Sequence, residues 1–139
     1  MTVILDTSFL YALADRKDRT HSQALDTVAA LSDRPLILPD VVLPEAFYLV
    51  ASRIGHAAAV KFIARVSQST MQLEPLKPTD LDRVCEIERQ YADCKLDFVD
   101  AAIMAIAERK NITTVLTLDR RDFSIVRPRH CESFEILPT

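Results

Sequence analysis

Residues 2–15 read TVILDTSFLYALAD. TVIL is a short apolar run with β-branched side chains, and Asp6-Thr7-Ser8 then offers three helix-capping side chains ahead of FLYALAD. A buried strand is therefore expected to pass into a helix through one carboxylate. Later segments follow the same pattern. A helix fits His21 to Leu31, where Ala24, Leu25, Val28 and Leu31 recur at helical spacing, and LIL at 36–38 reads as a second buried strand. Asp40 is placed to cap the helix VVLPEAFYLVASRIG, with Pro44 tolerable in its first turn and Gly55 as the stop. Val60, Ile63 and Val66 mark a further helix over residues 56–67, and MQLEPL at 71–76 a third strand. The segment TDLDRVCEIERQYAD opens with Thr79-x-x-Asp82, a capping-box-like start, and sets Leu81, Val84, Ile87 and Tyr91 on one face. After the helix at 96–111, TTVLTL at 113–118 and FEIL at 134–137 supply the last strands. Strands alternating with helices predict an α/β layered fold with a mainly parallel sheet.

The chain has 139 residues, which suits a single domain spanning 1–139 and is long enough to bury roughly two-thirds of its unfolded surface. Hydrophobic residues at 49% and charged residues at 27% leave no room for a long disordered tail. The N-terminus reaches Asp6 after three apolar residues, too soon for a signal peptide or a membrane span, so a cytoplasmic protein with no membrane partner is expected. Cys85, Cys94 and Cys131 form no C-x-x-C pair, and His21, His56 and His130 show no metal-binding spacing. Gly55 is the only glycine, which excludes the phosphate-cradling loops and the serine-nucleophile elbow. The net charge of −3 argues against binding nucleic acid through bulk positive charge. A local patch remains in DRRDFSIVRPR, where Arg120, Arg121, Arg127 and Arg129 cluster, unless those guanidinium groups are solvated or paired with acids.

The chemistry lies in the acids. In LDFVDAAIMAIAERKN at 96–111, Asp100 is the only charged residue between Phe98 and Ala107. Burying a lone ionised carboxylate costs several kcal/mol or shifts its pKa until it neutralises, so something must hold it or use it. Asp97 and Asp100 share a helical face, which also fits a cap plus a first-turn acid. Asp6 and Asp119 each end an apolar strand and could be simple caps. Glu45 shares its face with Val41, Val42 and Leu49 and so needs a cation, a hydrogen-bond donor or a surface position. In an open parallel sheet, however, strand C-termini and helix starts gather along one edge, where ligands bind. Asp6, Glu45, Asp100 and Asp119 would then converge. Four carboxylates without His or Cys suit Mg²⁺ or Mn²⁺, and the chemistry implied is phosphodiester hydrolysis.

LDTS, LPEAFYL, DFVDAAIMAIAE and TLDRRDF, in that order over residues 3 to about 128, resemble the PIN-domain ribonucleases, and within them the VapC-type toxins of toxin–antitoxin pairs. The resemblance implies a three-layer α/β/α sandwich and a Mg²⁺- or Mn²⁺-dependent endoribonuclease that cleaves an RNA substrate. It also implies a homodimer neutralised by a cognate antitoxin. On this basis Asp6, Glu45, Asp100 and Asp119 are the catalytic acids. Asp6 and Asp100 are the direct metal ligands, and Glu45, Asp97 and Asp119 are further candidates. Asp122 duplicates the acid of the last motif. Thr7, Ser8 and Thr117 stand beside these acids, where a hydroxyl could hold a metal-bound water, and Arg120 and Arg121 gain a role against RNA phosphates. Rival readings are cleavage of DNA or another phosphodiester, a non-catalytic PIN-like binding module, and a phosphorylated receiver domain. The last is disfavoured because Asp6 has no acidic neighbour and the final lysine is Lys110.

Overall fold

The computed structural model describes residues 1–139. Five short strands, β1 (Val3–Leu5), β2 (Leu36–Pro39), β3 (Gln72–Glu74), β4 (Thr114–Leu116) and β5 (Glu135–Leu137), form one all-parallel sheet in the order β3-β2-β1-β4-β5. Ile4 stands opposite Ile37 on one side and Val115 on the other. Both faces of a parallel sheet are covered, and the central strands are almost wholly apolar for that reason: Val3, Ile4, Leu5, Val115 and Leu116 are fully buried, with Thr114 the polar exception.

Seven helices connect and flank the strands: α1 (Thr7–Ala14), α2 (His21–Ala30), α3 (Val42–Arg53), α4 (His56–Gln68), α5 (Pro78–Gln90), α6 (Phe98–Lys110) and α7 (Arg121–Ile125). The chain moves outward from β1 to β2 to β3, then returns past the start to β4 and β5. With right-handed crossovers, that reversal of direction puts α1–α4 on one face and α5–α7 on the other. The contacts agree: α1 packs on α2 and α3, α3 on α4, and α6 on both α5 and α7. The expected α/β/α layering and parallel sheet are thus present.

Helix α6 anchors the second layer. Every residue from Ala101 to Ala107 is buried, and the alanines let it pack closely against its neighbours. Asp97 caps its start by accepting from the Asp100 N–H at 3.2 Å, and Asn111, in the left-handed region at φ 56°, ends it.

Three local expectations are corrected. Asp40 does not cap α3: its carboxylate accepts instead from Leu76 N–H at 3.1 Å, tying the exit of β2 to the exit of β3. Helix α5 does not start on a Thr79–Asp82 box. It starts at Pro78, and the Asp80 carboxylate accepts from Lys77 N–H at 2.9 Å. Leu81 is 44% exposed while Asp80, Val84 and Ile87 are buried, so the packed face centres on those three and leaves Leu81 at its edge. No helix is expected after Asp119, yet Arg121–Ile125 forms α7. Its five residues are too few to show a helical period.

Candidate active site

The sheet reverses its order between β1 and β4, and a crevice opens outside the strand ends at such a point. The Asp6 N–H donates to Leu116 O at 3.1 Å, which locks the two strand exits together. A cleft of about 700 Å³ lies above them, and Asp6, Glu45, Asp97, Asp100, Asp119 and Asp122 all line it. Separate β–α junctions have brought the expected acids to one place, and Asp122 with them.

Asp6 is the most deeply held, at 2% exposure. It caps α1: Oδ1 accepts from Phe9 N–H at 3.0 Å and from the Ser8 hydroxyl at 2.8 Å, and Oδ2 accepts from the Thr117 hydroxyl. Burial nevertheless raises its carboxyl to about 6, against the pull of those three donors and with some help from the charge of Asp119. The cap expected of Asp6 is present, and the same residue lines the cleft. Asp100, one turn into α6, is raised well above the usual carboxylate range. Burial is the main cause, followed by the charge of Asp6, a hydrogen bond with Asp122, and the charges of Asp97 and Asp122.

The other acids are held more loosely. Glu45 is half-buried in the first turn of α3 and takes part in no ion pair. Asp119 is exposed at the end of β4, beside Thr117, whose Oγ1 accepts from the Asp119 N–H at 3.0 Å. Asp97 is exposed, caps α6 through its carboxylate and lines the same cleft as Asp100. Asp122 is buried and accepts from Asp97 N–H at 3.1 Å and from the Arg121 guanidinium at 2.8 Å.

The remaining expectations divide. The hydroxyls of Ser8 and Thr117 are committed to orienting Asp6, and Ser8 also accepts from Leu118 N–H at 3.0 Å, so only Thr7 keeps a free one. The arginine cluster disperses. Arg121 lines the cleft, but Arg120 turns away to Pro138 O at 2.9 Å and Arg129 pairs with Glu86. Cations that sequence reasoning missed take their place: Arg19, Arg53 and Lys95 line the same cleft. Arg53 lies over the Tyr11 ring, 4.9 Å from its centroid. The spacing Glu45–Leu49–Arg53 on α3 was the available signal, since residues four apart share a helical face.

No group of three or more His, Cys, Asp or Glu side chains forms a ready-made metal cage, so the expected four-fold convergence is looser than anticipated. The donor set still fits a hard divalent cation. It is all oxygen, burial destabilises the anions of Asp6 and Asp100, and the buried hydroxyl of Thr7, a cleft residue, has no partner. Mg²⁺ characteristically takes one or two carboxylates and fills the rest of its shell with water and phosphate oxygens.

An open parallel α/β sheet with an acid-lined cleft at its switch point defines a class of α/β domain that binds ligands outside the carboxyl ends of its strands. Within that class, the PIN domain model matches residues 3–127, and the chain belongs to the PIN-domain family. It is 31% identical over 136 residues to Ribonuclease VapC26 of Mycobacterium tuberculosis, covering 98% of this chain and 100% of that protein. It is 29% identical over 123 residues to the 23S rRNA-specific endonuclease VapC20 of the same organism, covering 88% and 92%. The crystal structure of M. tuberculosis VapC20, described as a Sarcin-Ricin loop cleaving toxin, superposes with TM-score 0.77 at 25% identity, covering 86% of this chain and 91% of that one. VapBC2 from Rickettsia felis, bound to a promoter DNA fragment, shares the fold with TM-score 0.71 at 14% identity, covering 98% and 97%. No helix is long and apolar enough to cross a membrane.

Proposed function

We propose that this chain is a divalent-metal-dependent endoribonuclease and the toxin of a toxin–antitoxin pair. The observation that carries the reading is the placement of Asp6 and Asp100 at the switch point, both desolvated and both resisting ionisation in the absence of a cation. Structural carboxylates are normally paired, as Glu74, Asp80 and Glu108 are elsewhere in this chain. Likeness to named ribonucleases along nearly the whole chain supports the same conclusion.

Asp6 and Asp100 would hold the Mg²⁺ or Mn²⁺, with Glu45 and Asp119 reaching the same space from α3 and from the end of β4. A bound cation supplies neutralising charge at the phosphodiester and lowers the pKa of water, which lets a site without histidine hydrolyse RNA. The chain's own groups do the positioning. Ser8, Thr117 and Phe9 N–H fix the Asp6 carboxylate, the Asp97 cap fixes the start of α6, and Arg19, Arg53, Lys95 and Arg121 offer phosphate partners around the acids. An antitoxin partner and homodimerisation are part of the proposal. The toxin–antitoxin complexes among its structural relatives support the former.

The test is incubation of the purified chain with a pool of structured RNAs that includes 23S rRNA, with Mg²⁺ or with EDTA. Cleavage in Mg²⁺ that stops in EDTA is expected. Cleavage that survives the chelator would overturn the metal-dependent reading.

A further inference from the structure

Thr7 is the first residue of α1, is 7% exposed and lines the acid cleft, yet its Oγ1 is buried with no hydrogen-bond partner in the chain. The neighbouring hydroxyls behave differently: Ser8 and Thr117 both donate to Asp6. A buried hydroxyl without a partner destabilises a fold, and valine, of the same shape, would fill the space without that cost. Thr7 also follows Asp6, the most deeply buried carboxylate of the cleft, directly in the chain, and both residues line that cleft. Its position, burial and lack of a partner together point to a ligand oxygen that the chain itself does not contain.

We infer that Thr7 is a positioning residue whose Oγ–H donates to an oxygen in the shell of a cation seated against Asp6. That oxygen is water in the resting site and a phosphate oxygen when RNA is bound. The inference rests on the metal-dependent nuclease reading and deepens it. It differs from the roles of Ser8 and Thr117, whose hydroxyls are satisfied within the fold and serve to orient Asp6.

Thr7→Val and Thr7→Ser separate this role from a structural one, because the two readouts move in opposite directions. The metal-free melting temperature of Thr7→Val should equal or exceed that of the wild type, since an unsatisfied hydroxyl has been removed. Its affinity should fall roughly tenfold, the effect of one hydrogen bond, with Thr7→Ser restoring most of it. Affinity is read in two titrations, Mn²⁺ alone and Mn²⁺ with a 2′-O-methyl RNA oligonucleotide that resists cleavage. A loss in the first assigns the bond to water, and a loss only in the second assigns it to phosphate. A metal-free melting temperature below that of the wild type, or an affinity unchanged in both titrations, overturns the inference. If the wild-type chain binds no Mn²⁺, the nuclease reading fails and takes this inference with it. Equal binding by wild type and Thr7→Val removes this inference alone.

Discussion

Asp6 is a helix cap whose carboxylate is also a metal ligand in the proposed function. Its carboxylate caps α1, but burial raises its pKa from 3.8 to about 6. A raised carboxyl favours the folded chain fully below pH 3.8, and that contribution is lost as pH rises through about 6. For Asp6 the loss is about 3 kcal/mol. Asp100, also raised, extends the decline to higher pH, whereas Glu74 and Glu108, held low by their cationic partners against the cost of burial, act only in more acidic solution. The metal-free chain should therefore melt at a lower temperature at pH 8 than at pH 5. Asp100→Asn should flatten that difference, and a melting series across pH checks both. Asp97 makes a contrasting prediction. Asparagine caps helices as well as aspartate, so Asp97→Asn should keep the fold and remain within a few-fold of wild-type cleavage in a rate assay.

Among the elements, α6 depends most on its ends. Arg109, in its last turn, donates to Asp80 at 2.9 Å and to Glu74 at 3.0 Å, joining α6 to the start of α5 and to β3. Asp80 is 3% exposed, so Arg109→Met should strand a buried charge and cost on the order of 3 kcal/mol, read as a lower denaturant midpoint. Asp6, Glu45, Asp100 and Asp119 were legible in the sequence because each interrupts an apolar pattern or ends an apolar strand. The strand–helix alternation was legible for the same kind of reason. What stayed hidden depends on tertiary contacts. That Asp122 is buried, that Arg109 pairs with Asp80, and that Arg53 rather than Arg120 reaches the cleft follow from how separate elements meet. No local period records those meetings. The α5 start was misplaced because Asp80 and Asp82 offer competing caps, and the choice was made by burial of Asp80 against Arg109.

For the molecule as a whole, the reversal of strand order at β1 and β4 creates the cleft, and the two helical layers supply its walls. An acid cleft on a chain of net charge −3 repels RNA unless cations intervene, so metal should both stabilise the fold and permit substrate approach. Saturating Mn²⁺ should raise the melting temperature at pH 8, reversibly with EDTA, by an amount that grows with metal concentration. The central claim is that Asp100, rather than the neighbouring cap, belongs to the reacting centre. It is tested most directly by measuring RNA cleavage in Mg²⁺ by the wild type, Asp97→Asn and Asp100→Asn side by side, with folding verified by melting. Cleavage by the first two and at least a hundred-fold loss in the third, about 3 kcal/mol of transition-state stabilisation, is the predicted result. Equal cleavage by Asp100→Asn would contradict it.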